Sequence, residues 1–177
     1  MNTKIIQNDP VSENILKDRA RELAKETSAG NNHETTLSVV EFRIAHETYA
    51  LELNRIRIIH PFKALTFIPG TPDFIRGVIN LRGEIISVVD LKVFFDLPDQ
   101  DFTNLSQVII LTSDEMEFGI LADEVLGVAE LSKKDIRPSL PTLTGIRADY
   151  LKGVTGNSIV ILDVEKLLTD KKMVINL

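Results

Sequence analysis

The sequence predicts a mostly β protein, two similar small β-units in tandem behind a helical extension. Three observations carry this reading. From Leu37 onward, apolar residues alternate with period two in short runs separated by turn residues. The runs pair into four hairpins with little helix between them, the pattern of small barrels or sandwiches. The second half of the chain also repeats motifs of the first at near-constant spacing.

The first 36 residues stand apart from this pattern. They hold no aromatic residue and run into the breaker cluster Ala29-Gly30-Asn31-Asn32. Between Pro10 and Thr27, Leu16, Ala20 and Leu23 recur at helical spacing beside Ile15, and Glu13 to Lys17 is a favourable i, i+4 pair. Asp9 ahead of Pro10, or Ser12, supplies an N-cap. So thin an apolar stripe leaves the helix marginal alone, and residues 1–36 read as a partly helical, tethered extension.

The β-region begins with Val40, Phe42 and Ile44, then Tyr49, Leu51 and Leu53, around the turn Ala45-His46-Glu47-Thr48. This is a hairpin with one wet face. Val78–Ile79 and Ile85–Val89 flank Asn80-Leu81-Arg82-Gly83. Gln107–Leu111 and Met116–Leu121 flank Thr112-Ser113-Asp114-Glu115. Leu151–Thr155 and Ser158–Leu162 flank Gly156-Asn157.

The echo pairs Tyr49-Ala50-Leu51 with Phe118-Gly119-Ile120, at an offset of 69. Phe74-Ile75-Arg76-Gly77-Val78 returns as Tyr150-Leu151-Lys152-Gly153-Val154, at an offset of 76. Each copy leads to an apolar strand ending in an aspartate, Asp90 or Asp163, placed to cap a short helix (Leu91–Phe95 and Val164–Leu168).

Composition narrows the function. In 177 residues, 20 Lys+Arg against 26 Asp+Glu leave a net charge of −6, which argues against a nucleic-acid wrapper with its basic face. Aromatics at 6% with no Trp also argue against a stacking barrel for oligonucleotides or small ligands. The absence of cysteine removes disulfides, thiol nucleophiles and cysteine metal sites. The N-terminus lacks a signal-peptide core, and no window reaches the length of a membrane span. His33, His46 and His60 fall into no ligand spacing; no serine sits in a GxSxG elbow; no glycine motif cradles phosphate. The acidic runs Asp96–Asp101 and Asp114–Glu117 sit in turn contexts, where solvated charge is ordinary. Catalysis, a metal and a cofactor are not expected.

One loop departs from turn chemistry. In Gly77-Val78-Ile79-Asn80-Leu81-Arg82-Gly83-Glu84, a leucine and an arginine occupy a tight turn that small polar residues would fill more cheaply. Gly83 supplies a positive φ. Arginine's planar fork and apolar stem suit an interface anchor, with Leu81 as its hydrophobic companion. The alternative at this point is an arginine in water and a leucine folded back on the barrel end. The preceding Pro69-Gly70-Thr71-Pro72-Asp73 is a firm turn, with Thr71 capping and Pro72 opening a single helical turn.

These residues carry a resemblance. Ile68-Pro69-Gly70-Thr71-Pro72-Asp73-Phe74-Ile75-Arg76-Gly77-Val78-Ile79-Asn80-Leu81-Arg82-Gly83, then Ile85-Ile86 and Val88-Val89-Asp90-Leu91, resemble the CheW-like coupling proteins of bacterial chemotaxis. Tyr49-Ala50-Leu51, Ile56, Ile136-Arg137-Pro138, Tyr150-Leu151-x-Gly153 and Leu162-x-x-Glu165-Lys166-Leu167-Leu168 fit the same pattern, over roughly residues 37–172. The resemblance implies two five-stranded SH3-like β-barrels with short connecting helices, about residues 37–105 and 106–172, with exchange of terminal strands between them allowed.

It also implies a non-catalytic, cytoplasmic adaptor, recruited to membrane-associated receptor arrays without entering the membrane. Its partners are then the regulatory domain of a CheA-type histidine kinase and the cytoplasmic helical tip of a chemoreceptor. The alternative within the family is a paralogue serving a non-flagellar chemosensory-like kinase cluster. Carried over by position, receptor contacts fall on Asn80, Leu81, Arg82 and Gly83, with Ile56 and Gly77 beside them, near the groove between barrels. No kinase-binding residues are assigned. Relatives often carry an acidic residue shortly after the position of Ile56, whereas this chain has Ile58 and Ile59. Residues 1–36 lie outside the resemblance.

Overall fold

The computed structural model describes residues 35–97, 107–138 and 146–173. The helix expected between Pro10 and Thr27 lies outside the described residues. Among these residues ten strands and three short α-helices follow in order: β1 (Thr36–Ile44), β2 (Glu47–Glu52), β3 (Ile56–Pro61), β4 (Ile75–Leu81), β5 (Glu84–Val89), α1 (Leu91–Phe94), β6 (Gln107–Thr112), β7 (Glu117–Ala122), β8 (Glu124–Ser132), α2 (Ile146–Asp149), β9 (Leu151–Val154), β10 (Val160–Leu162) and α3 (Val164–Thr169). All four expected hairpins form, β1–β2, β4–β5, β6–β7 and β9–β10. The two capping aspartates behave as anticipated. Asp90 Oδ1 accepts the Lys92 N–H at 2.9 Å, and Asp163 Oδ1 accepts the Lys166 N–H at 3.2 Å.

The strands form two five-stranded sheets, ordered β8-β1-β2-β10-β9 and β3-β6-β7-β5-β4. Each is closed by a short bridge: Arg137 pairs with Val154 on β9, and Thr66 pairs with Val78 on β4. The result is two small SH3-like barrels. The barrels do not follow the sequential halves 37–105 and 106–172. The first takes β1 and β2 from the first half and β8–β10 from the second, and the other takes β3–β5 and β6–β7.

The repeat is visible in atomic detail. The Asp90 N–H donates to the Phe74 carbonyl and the Asp163 N–H to the Tyr150 carbonyl, each at 2.8 Å. Gly77 and Gly153 do the same job in their barrels. A Cβ on Gly77 would lie 2.3 Å from the Thr66 carbonyl oxygen, and one on Gly153 would lie 2.5 Å from that of Arg137. Both glycines admit the backbone of the bridge that closes the barrel. The repeat-related rings of Phe74 and Tyr150 meet Phe94 of α1 edge-on, with centroids 5.0 and 5.1 Å away. The Tyr150 hydroxyl donates to Asp170; burial, then the adjacent carboxylate, push its pKa up to about 12.

The wet face expected of the first hairpin is absent from β2, and the central strands of the other sheet are buried in the same way. On β2, Tyr49, Ala50 and Leu51 are all buried, as are Val108–Leu111 on β6 and Phe118–Ala122 on β7. Alternate residues serve two cores. Phe42, Tyr49, Leu51, Ile109, Phe118 and Ile120 belong to the largest apolar cluster, which joins the two sheets. Val88, Val108, Ile110 and Leu121 fill one barrel, and Val39, Ala50 and Ile161 fill the other. Packing on both faces turns an alternating pattern into a continuous apolar one.

A second correction concerns Pro72. No helical turn forms there; the Ile75 N–H donates to the Pro72 carbonyl at 2.8 Å, closing a β-turn. The Thr71 hydroxyl donates to the Ile68 carbonyl at 3.0 Å instead of capping a helix.

Substituting Gly77 or Gly153 with alanine sets a methyl against a bridge carbonyl, and at Gly77 φ is also +141°. Each variant is expected to lose about 3 kcal/mol of stability, with Gly77→Ala the worse, measured by denaturant unfolding.

Candidate interaction surface

The β4–β5 hairpin presents the arginine noted in the sequence. Its register pairs Leu81 with Glu84 and Asn80 with Ile85, leaving Arg82 and Gly83 as a two-residue turn. Both are left-handed, at φ 56° and 94°. A two-residue turn with both φ positive matches the twist of the flanking strands, and Asn-Gly is its usual filling. Here arginine stands in the asparagine's place and holds a conformation that costs a side-chain-bearing residue about 1 kcal/mol. Asn80 steadies the turn from the strand: its Oδ1 accepts the Gly83 N–H at 2.9 Å.

Of the residues carried over from the resemblance, Asn80, Arg82 and Gly83 lie exposed at the hairpin tip. Leu81 does not join them. It is 5% exposed and packs inside the barrel with Ile86, Val88 and Ile110, so it anchors the hairpin and not a partner. Gly77 is buried beneath the Thr66 carbonyl and serves barrel closure. Ile56 is half-buried at the margin of the inter-sheet core.

The surface residues that sequence reasoning missed are Ile85, Arg57, Glu84 and Glu117. Ile85 is 59% exposed, across the ladder from Asn80. It presents the exposed apolar surface that Leu81 does not. The pair Ile85-Ile86 held the signal, because consecutive strand residues face opposite ways and only one can enter the barrel. Arg57, directly after Ile56, binds Glu84 at 2.7 Å and both oxygens of Glu117 at 2.7 and 2.8 Å. Hydrogen bonds donated to Glu117, then to Glu84, raise its pKa above the ordinary arginine value. The position after Ile56 thus brings a cation clamped to the base of the arginine hairpin.

Apart from the hairpin, an open cavity of about 670 Å³ is bordered by Leu65, Phe67, Thr71, Arg76, Lys92 and Val93. Phe67 stands 70% exposed on its rim. Asp90, which caps the helix that carries Lys92 and Val93, is 1% exposed, with Oδ1 on the cap bond and Oδ2 without a hydrogen-bond partner. Burial raises its pKa above the ordinary carboxylate value, against the lowering effects of the Lys92 amide and the charges of Arg76 and Lys92. Among the described residues no group of His, Cys, Asp or Glu is arranged to hold a metal ion, and no helix is long and apolar enough to cross a membrane.

Two closed barrels with side-chain-filled interiors, and an arginine hairpin held outward at a conformational cost, define a small double-barrel module. The chain belongs to the CheW-like domain family, whose family model matches residues 38–172. It is 32% identical over 135 residues to the chemotaxis protein CheW of Klebsiella aerogenes, covering 75% of this chain and 81% of that protein. With the chemotaxis protein CheW of Helicobacter pylori it shares 30% identity over 161 residues, 88% of this chain and 96% of that one. The crystal structure of the scaffolding protein TtCheW from Thermoanaerobacter tengcongensis is similar with a TM-score of 0.67 at 30% identity, covering 77% of this chain and 94% of that chain. The family is one of chemotaxis scaffolding proteins.

Two expectations follow from the site. Arg82→Asn places a residue suited to the left-handed region in the turn and should raise stability by up to about 1 kcal/mol, read as a higher denaturant midpoint. For Asp90, a folded-state pKa above the unfolded value means that ionisation opposes folding. Stability from this group is complete below the ordinary carboxylate range and falls as pH rises through the folded pKa. Asp90→Asn keeps a cap acceptor without the buried charge. It should be more stable than the parent by about 1 kcal/mol at pH 7, and the advantage should vanish near pH 4 and below, as followed by urea unfolding across pH.

Proposed function

We propose that this protein is a non-catalytic adaptor that couples the cytoplasmic helical tips of chemoreceptors to the regulatory domain of a CheA-type histidine kinase. It acts in the cytoplasm and is recruited to receptor arrays through these contacts. Family membership over residues 38–172 supports the reading. The observation that carries it is Arg82, an arginine kept in a left-handed turn at φ 56° at the exposed tip of the β4–β5 hairpin. Sequences retain such local cost where function needs it.

Receptor contact is assigned to Asn80, Arg82 and Gly83, with Ile85 as the apolar anchor and the Arg57–Glu84–Glu117 cluster bracing the hairpin. Leu81, Gly77 and Ile56 shape this surface from within. The kinase-binding face carries no residue assignment.

An adaptor of this kind lowers no chemical barrier. Holding one partner raises the effective concentration of the other. A receptor state can bias the kinase only through contacts that differ between its two states.

Arg82→Asp should weaken binding of a purified receptor tip by about 2 kcal/mol or more, roughly 30-fold. Affinity for the kinase regulatory domain and the thermal midpoint should stay near the parent's. Calorimetric titration against each partner reads both. Equal receptor affinity of variant and parent removes the hairpin from the interface.

A further inference from the structure

Among the described residues the chain crosses between the barrels at two places. One is the 3-10 turn Leu53–Arg55 between β2 and β3; the other is the single residue Asp123, between the end of β7 and the start of β8. Asp123 is held from both sides. Toward the first barrel, its N–H donates to the Arg43 carbonyl at 3.0 Å, and its Oδ2 accepts the Ala45 N–H at 2.7 Å. Ala45 lies in the β1–β2 turn with φ at 57°. Toward the second barrel, Oδ1 accepts from Lys92 Nζ at 2.7 Å. Lys92 belongs to α1, directly behind β5, and its side chain is 7% exposed against 17% for Asp123.

Apart from one hydrogen bond, from the Val125 N–H on β8 to Gln107 Oε1 on β6 at 2.9 Å, the barrels meet elsewhere mainly through apolar side chains, and apolar attraction is strong but has no preferred direction. A buried ion pair is the reverse. Its net contribution to stability is small after desolvation, yet breaking its geometry leaves a charge uncompensated. Such pairs select one arrangement among several of similar apolar burial. From the placement of this pair at a one-residue crossover, we infer that Lys92 and Asp123 are positioning residues that set the orientation of one barrel against the other. The shared core supplies cohesion and the ion pair supplies the angle. This holds whichever partners the protein bridges.

The chain has no cysteine, so two introduced thiols report alone. Glu115→Cys in the β6–β7 turn and Asn157→Cys in the β9–β10 turn are exposed sites on different barrels. Nitroxide labels there give the inter-barrel distance distribution by pulsed electron resonance on the full chain. The parent should show one narrow distance. Lys92→Met, which keeps the apolar stem, and Asp123→Asn, which keeps an acceptor for Ala45, should each broaden the distribution at least twofold or add a second distance.

Hydrogen exchange supplies the fold check. The Ala45 amide should exchange about tenfold faster in Lys92→Met, while amides of β6 and β7 keep parental protection. Unchanged distance widths in both variants overturn the inference. So does a uniform acceleration across β6, β7 and the β1–β2 turn, which makes the pair a general stabiliser and not an orienting one.

Discussion

The apolar layer between the two sheets is the constraint on which the rest of the structure depends. Tyr49, Leu51 and Phe42 from one barrel and Ile109, Phe118 and Ile120 from the other fill it. Each barrel interior is small: one is floored by Val39, Ala50 and Ile161 alone among fully buried residues. A five-stranded barrel of that size hides too little surface to stand by itself comfortably. The barrels therefore share a core, and their central strands are buried on both faces.

The crossed arrangement of strands follows from the same need. Each barrel is built from two strands of one repeat and three of the other, so neither repeat can complete its sheet without its neighbour. Closure then falls to short bridges, at Thr66 and Arg137, which approach so closely that only glycine is tolerated at Gly77 and Gly153. With every central face packed and both sheets closed, what remains for recognition is the outer skin, chiefly turns and the hairpin that carries Arg82.

That hairpin shows how the scaffold and its working surface are divided. Leu81 and Ile86 hold it to the barrel interior, while Arg82 and Ile85 turn outward. Arg57 ties the neighbouring strand to the hairpin base through Glu84 and to β7 through Glu117. Exposed ion pairs contribute little to overall stability, so this cluster matters for where the hairpin points more than for whether the protein folds.

The four hairpins, the repeat, the capping roles of Asp90 and Asp163 and the oddity of Arg82 could all be read from the chain, because each depends on residues close in sequence. Alternation, turn chemistry and caps are local physics. Only the tertiary structure decided that the halves exchange strands, that the central strands β2, β6 and β7 have no wet face, that Leu81 looks inward while Ile85 looks out, and that Lys92 meets Asp123 at the crossover. β3 escaped the reading because a bulge between Ile56 and Ile58 breaks its alternation, and β8 because Gly127, at φ 136°, lies between its exposed Leu126 and Val128. Which side of a strand is buried depends on what packs against it, and the packing partners here lie up to a whole repeat away along the chain.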